Sequence, residues 1–189
     1  DYLRRQKDRL LDQGAPLPPH LKPVNILGVD YIYGPVESTG GRLWLVGRDP
    51  ELFDYFQPER WRNTSKVRLS ANHHVYYTYT KDNIHLVWKT SRVGEVPKPT
   101  GDDAQWRAMV KTGYNSPFEE FSYALELGRR GVATTYPRAI YMTGSHSDPG
   151  DVPLDMRAFA RHRHLLMPSG DPILQPDHDY IKIWGFWNG

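Results

Sequence analysis

The sequence contains no cysteine, which excludes a disulfide framework and any zinc site built from thiolates. It also has no excess of either charge, because 24 lysines and arginines stand against 22 aspartates and glutamates. Attraction to nucleic acid or to an acidic membrane surface would therefore have to come from a local patch. A chain without cysteine fits a reducing compartment, so we expect an intracellular, cytoplasmic protein.

Long apolar runs are missing as well. The run at residues 84–88 is interrupted by His85 and is far shorter than the roughly 20 residues that a membrane helix needs. We therefore expect no membrane partner. The 189 residues suit one domain, or one domain with an extension. Because the sequence begins with Asp1 rather than methionine, we expect a piece of a longer protein.

The first third of the chain predicts an extension rather than a core. Residues 1–13 place a few leucines among charges and predict a short helix, and the four prolines of residues 15–23 predict an extended strap. Residues 24–33 and 42–46 predict a hairpin around a turn-rich segment, and Asp49 begins a short helix to residue 56. The strap is a candidate for docking a protein partner.

The rest of the chain predicts a sheet with one principal helix. Residues 66–70, 74–80 and 84–91 predict an antiparallel meander, residues 136–142 and 179–187 predict two more strands, and residues 102–111 and 155–164 predict short helices. The expected fold is α+β: an antiparallel sheet of about five strands with one main packed helix, plus the N-terminal helix, strap and hairpin. We expect two units, 1–65 and 66–189.

The principal helix has a specific start. Ser116-Pro117-Phe118-Glu119 combines an N-cap serine, a proline at the first helical position and a glutamate at the third, which is a capping box. Gly131 predicts the end of the helix. An apolar stripe at helical spacing predicts that the helix lies on the sheet, and the capping role of Glu119 leaves Glu120 available for other chemistry.

Residues 66–189 resemble the small lobe of the protein-kinase-like fold, especially its divergent, antibiotic-phosphotransferase-like branches. The resemblance lies in the order of three strands, the third carrying Lys89 in Leu86-Val87-Trp88-Lys89, then a helix with Glu120, then two strands. It implies a nucleotide-binding lobe that takes ATP with Mg²⁺, in which Lys89 contacts the phosphates and Glu120 holds Lys89.

The same resemblance implies further contacts and one limit. Asn72 and His73 would lie in the phosphate-facing loop, and Ile183 and Trp184 would lie beside the base. However, that loop has no glycine, and the sequence contains neither a His-Arg-Asp nor an Asp-Phe-Gly motif. We therefore expect a kinase-like or pseudokinase-like lobe that is not catalytically complete on its own.

Two other functions are compatible with the sequence. A non-enzymatic interaction subunit, for example of a ribonucleoprotein, would use the strap and a basic cluster at residues 157–164, with RNA as partner. A histidine-ligated metal hydrolase would use His162 and His164 with Asp177 and His178. Because histidines two apart on a helix point in different directions, we predict no metal site. Neither do we expect Ser145, His146 and Asp148 to form a triad.

Overall fold

A computed structural model describes residues 17–71, 74–96, 104–147 and 154–186. The strands are β1 (Lys22–Ile26), β2 (Val29–Val36), β3 (Gly41–Val46), β4 (Lys66–Arg68), β5 (Val75–Tyr79), β6 (His85–Arg92), β7 (Pro137–Met142) and β8 (Asp179–Gly185). The helices are α1 (Pro58–Trp61), α2 (Ala104–Thr112), α3 (Pro117–Arg129) and α4 (Arg157–Arg161). Two 3-10 turns, Pro50–Leu52 and Asp54–Phe56, precede α1. The predicted helix at residues 1–13 lies outside the described residues.

The strands form one antiparallel sheet in the order β1-β2-β3-β7-β8-β6-β5-β4. The α+β class and the antiparallel pairing are confirmed, but the expected five strands are wrong, because the sheet has eight. The three N-terminal strands are not an appendage: β3 pairs with β7, with Trp44 opposite Ile140. The sheet is thus continuous across residue 65, and a division into two units there stays a prediction.

The predicted N-terminal hairpin is found as β2 and β3, which are joined at residues 37–40, but a further turn divides its first strand. Residues 24–33 are not one strand, because Leu27 and Gly28 both have positive φ, 52° and 78°, and form a two-residue turn between β1 and β2. The predicted turn begins too early as well, since Pro35 and Val36 still belong to β2. The end of the predicted proline strap belongs to the edge strand β1, in which Pro23 pairs with Ile32 of β2. An edge strand accommodates a proline.

The central meander is confirmed. β4, β5 and β6 lie within two residues of the predicted boundaries and pair in sequence order. In α3 both halves of the capping box are present: the Glu119 amide donates to Ser116 Oγ at 3.2 Å, and the Ser116 amide donates to a Glu119 carboxylate oxygen at 2.7 Å. Of the helices in the described ranges, none is long and apolar enough to cross a membrane.

Alternating side chains give the sheet two packed faces. On the face that carries α3, Phe118 meets the Trp44 ring edge to face with centroids 5.2 Å apart, and Phe121 meets Trp184 at 4.7 Å. On the opposite face, Trp61 of α1 packs against Trp88 and Tyr141. We call the first of these the helix face, and it is the face on which the candidate site lies.

The loop after β7 is clamped against the turn between β2 and β3. A Cβ on Gly144 would lie 1.9 Å from the Thr39 carbonyl oxygen, so no side chain fits there without a backbone shift. We expect Gly144→Ala to lower the free energy of unfolding by about 1–3 kcal/mol, as overpacking does. Gly128→Ala in α3 is the control, because a Cβ at this position would have no atom within 4 Å. We expect this variant to raise the free energy of unfolding by about 0.5–1 kcal/mol. Urea unfolding measures both, and equal effects would contradict the clamp.

Candidate functional site

Two lysines lie side by side near the middle of the sheet. Lys89 of β6 and Lys182 of β8 are register partners in an antiparallel pair, so their side chains leave the same face. They belong to a row that crosses the sheet on the helix face. The row consists of Lys22, Tyr33, Trp44, Ile140, Lys182, Lys89 and Val75. Like charges placed directly opposite each other are unfavourable, so this pair needs a compensating group.

Glu120 on α3 is that group, and its partner is Lys182. Lys182 Nζ donates to Glu120 Oε2, and the lysine side chain is only 1% exposed whereas the glutamate side chain is 35% exposed. Burial lowers the pKa of Lys182, and the Glu120 carboxylate opposes this effect, while the nearby charge of Lys89 lowers the pKa further. Glu120 therefore keeps a buried ammonium group charged inside the sheet-helix interface.

The predicted pairing of Glu120 with Lys89 is not what the structure shows. Lys89 is half-buried on the neighbouring strand, and none of the described carboxylates forms an ion pair with it. Lys182 was missed, although a lysine inside the apolar, aromatic run Tyr180-Ile181-Lys182-Ile183-Trp184 was a signal. A charged residue in a strand of that composition is buried at a cost unless it is paired.

An apolar strip lies beside the lysines on the same face. Val87 of β6 stands between Tyr77 of β5 and Trp184 of β8 as their register partner. All three side chains are half-buried. The strip therefore combines two aromatic rings and an aliphatic side chain next to two ammonium groups.

Of the other predicted site residues, Ile183 lies apart from the lysines, and Asn72 and His73 lie outside the described residues. Ile183 is completely buried on the opposite face, so it does not share a surface with Trp184 as the prediction required. This follows from the alternation of strand side chains. Glu126, further along α3 than Glu120, forms ion pairs with Arg129 and Arg130 on the same helix and its C-cap.

The basic cluster predicted to meet RNA phosphate is mostly used within the fold. Arg157 binds Asp155 and donates to the Lys111 carbonyl oxygen at 2.5 Å. Arg161 donates to Glu119 Oε2 at 2.9 Å. His162 is buried, with Nδ1 3.0 Å from the Ala158 carbonyl oxygen. Arg163 and His164 of the cluster are exposed, so binding of RNA there stays a prediction.

No family model, curated protein or solved structure matches this chain. A function for the helix face must therefore be argued from its own side chains: two lysines, one carboxylate and an aromatic strip.

Lys182 is more deeply buried than Glu120, so removal of either charge should change the free energy of unfolding by a different amount. We expect Glu120→Gln to lower the free energy of unfolding by about 2–3 kcal/mol, because it leaves a buried ammonium group without a counter-charge. Lys182→Met should change it by less than about 1 kcal/mol, since the remaining carboxylate reaches water. Glu126→Gln on the exposed side of α3 is the control, with an effect of roughly 0.5 kcal/mol or less. A larger loss for Lys182→Met than for Glu120→Gln in urea unfolding would contradict this assignment.

The lowered pKa of Lys182 predicts a pH dependence. Between that pKa and the ordinary lysine value of about 10.4 the unfolded chain binds more protons than the folded one, so stability rises with pH. The difference in unfolding free energy between the wild type and Lys182→Met should therefore shift in favour of the wild type as pH increases toward 10. Unfolding curves at several pH values measure this, and a shift in the opposite direction would show that the pKa is raised.

Proposed function

We propose that the helix face binds the phosphates of a nucleotide, and that the chain is a nucleotide-binding lobe of the kinase-like or pseudokinase-like kind. The observation that carries the proposal is the pair of adjacent lysines with a single paired carboxylate. Glu120 forms its ion pair with Lys182. Lys89 beside Lys182 has no carboxylate partner among the residues described. Within the described part of the chain, the set therefore carries one positive charge more than its carboxylate balances, in a partly desolvated position.

An anion suits that position better than water alone. The net charge of two ammonium groups and one carboxylate is positive, and partial burial strengthens electrostatic attraction compared with bulk water. An ammonium group is a compact charge that donates hydrogen bonds to phosphate oxygens. In this arrangement Lys89 contacts the phosphate, while Lys182 adds charge and remains tied to Glu120. This division of roles differs from the pattern that the resemblance implies, in which the glutamate holds the phosphate-binding lysine.

The strip of Tyr77, Val87 and Trp184 supports a nucleotide rather than a simple phosphate. Aromatic and aliphatic side chains supply the apolar surface that small-molecule sites use for a ring system, with a few polar groups fixing its orientation. Along β6 the strip lies two residues from Lys89 on the same face, so a base on the strip would place its phosphates toward the lysines. Trp184 is the residue of the predicted base-contacting pair that fits this role.

The order of elements also fits the kinase-like pattern. Three meander strands lead to Lys89, α2 and then α3 with Glu120 follow, and of the next two strands β8 pairs with β6 and β7 pairs with β8. Because Glu120 is already engaged by Lys182, a Mg²⁺ ion would be held mainly by the nucleotide phosphates. Since the sequence has neither catalytic motif, the proposal covers binding of ATP with Mg²⁺ and no phosphoryl transfer.

Calorimetric titration with ATP and Mg²⁺ tests the proposal. We expect Lys89→Ala to weaken binding by roughly fivefold or more, because the variant loses a charge-assisted contact to phosphate. Lys22→Ala is a matched control, since Lys22 lies in the same cross-sheet row but is exposed at the far edge. Its affinity should equal that of the wild type. A parallel titration with adenosine separates the contribution of the strip from that of the phosphates.

Two results would contradict the proposal. One is the absence of ATP binding at millimolar concentration by the folded wild type. The other is equal affinity in the wild type and Lys89→Ala, which would remove the assigned role even if ATP binds elsewhere. Binding of RNA that weakens steeply with salt, without binding of ATP, would instead favour an interaction subunit of a ribonucleoprotein.

A further inference from the structure

A second group of polar side chains lies at the end of the sheet where β7 leaves it and β8 enters. The Thr143 amide donates to the Asp179 carbonyl oxygen at 3.0 Å, and the Ser147 amide donates to the Asp177 carbonyl oxygen at 2.7 Å. These two bonds join the loop after β7 to the segment before β8. They bring His146 next to Asp177 and His178, which follow it 31 and 32 residues later in the sequence.

His178 is oriented as a metal-binding histidine is. Its side chain is 9% exposed, and its Nδ1 lies 2.6 Å from the Thr143 carbonyl oxygen. Because a carbonyl oxygen only accepts hydrogen bonds, Nδ1 carries the proton and the neutral ring has its lone pair on Nε2. A backbone carbonyl that fixes the ring and its tautomer in this way is the usual second partner of a histidine that binds a metal.

The other two side chains converge on the same point. Asp177 Oδ1 lies 3.9 Å from His178 Nε2, and Asp177 Oδ2 lies 2.5 Å from His146 Nδ1. One ligand atom from each residue lies within 4.8 Å of the others. In a tetrahedral zinc site such atoms are about 3.3 Å apart, as bond lengths near 2.0 Å require. Small rotations of the exposed His146 and Asp177 side chains would close this difference.

We propose that His146, Asp177 and His178 bind a zinc ion. Imidazole is a borderline nitrogen donor, so a set of two imidazoles and one carboxylate suits zinc better than the hard, oxygen-preferring Mg²⁺. Three protein ligands leave a fourth position for water or for a group from another molecule. His146 and Asp177 are exposed by 74% and 50%, so an ion reaches the site from solvent.

This site is distinct from the lysine pair, and it shares Asp177 and His178 with the histidine group considered in the sequence but not His162 or His164. Lys182 lies in the interior of β8, whereas Asp177 and His178 precede the strand. His162, predicted as a partner of His178, instead lies 3.3 Å from Ser116 Oγ at the start of α3. His146 replaces it because the sheet places the loop after β7 beside the start of β8, which sequence spacing alone does not reveal.

Titration of the tag-free full chain with Co²⁺, followed by displacement with Zn²⁺, tests the site. We expect one equivalent of Co²⁺ to give visible absorption typical of a four-coordinate ion, and Zn²⁺ to abolish it. His146→Ala and Asp177→Asn should each weaken binding at least tenfold, and both positions are exposed enough for the variants to fold. His164→Ala removes an exposed histidine outside the site and should bind as the wild type does.

A thermal melt gives a second measurement. Zn²⁺ should raise the unfolding temperature of the wild type and of His164→Ala, but not that of His146→Ala. Excess Mg²⁺ should neither reproduce the shift nor compete with Co²⁺. Failure of the wild type to bind one equivalent of Co²⁺ would overturn the proposal, as would equal affinity in His146→Ala and the wild type. Neither result bears on ATP binding at Lys89.

Discussion

Burial of the Lys182 ammonium group is the physical constraint on which much of this structure depends. Lys182 lies under α3 in the interior of an eight-stranded sheet, and an isolated charge there would be strongly unfavourable. Only a carboxylate held at the right height above the sheet removes that penalty. Glu120 is held there by the start of α3, where Ser116 and Glu119 cap each other and fix the first turn.

The aromatic contacts around the pair serve the same arrangement. Phe118 packs on Trp44 and Phe121 packs on Trp184, so α3 is anchored on both sides of Glu120. The aromatic packing orients α3, and this orientation places Glu120 where it neutralises Lys182. The packing and the ion pair therefore depend on each other. Glu120 does not pair with the neighbouring Lys89, and no other described carboxylate does, so this asymmetry makes the helix face a candidate for binding an anion.

Local features of the structure could be predicted from the sequence, and non-local ones could not. The capping box and the meander depend on residues close together in the chain, and both are found as predicted. The sheet order depends on which strands meet across long separations, so the union of β3 with β7 was missed. The same reason explains why Glu120 was assigned to Lys89: only the insertion of β8 next to β6 places Lys182 beneath α3. Convergence of His146 with His178 likewise depends on the pairing of β7 with β8.

In this structure Glu120 is paired with Lys182 and not with Lys89, so its energetic coupling should be to Lys182. Two double-mutant cycles measured by urea unfolding test it most directly, one combining Glu120→Gln with Lys182→Met and the other combining Glu120→Gln with Lys89→Met. The first should give a coupling free energy of about 1–3 kcal/mol, in the range of directly paired residues. The second should give about 0.5 kcal/mol or less, as for residues without a shared contact. A larger coupling to Lys89 than to Lys182 would contradict the account.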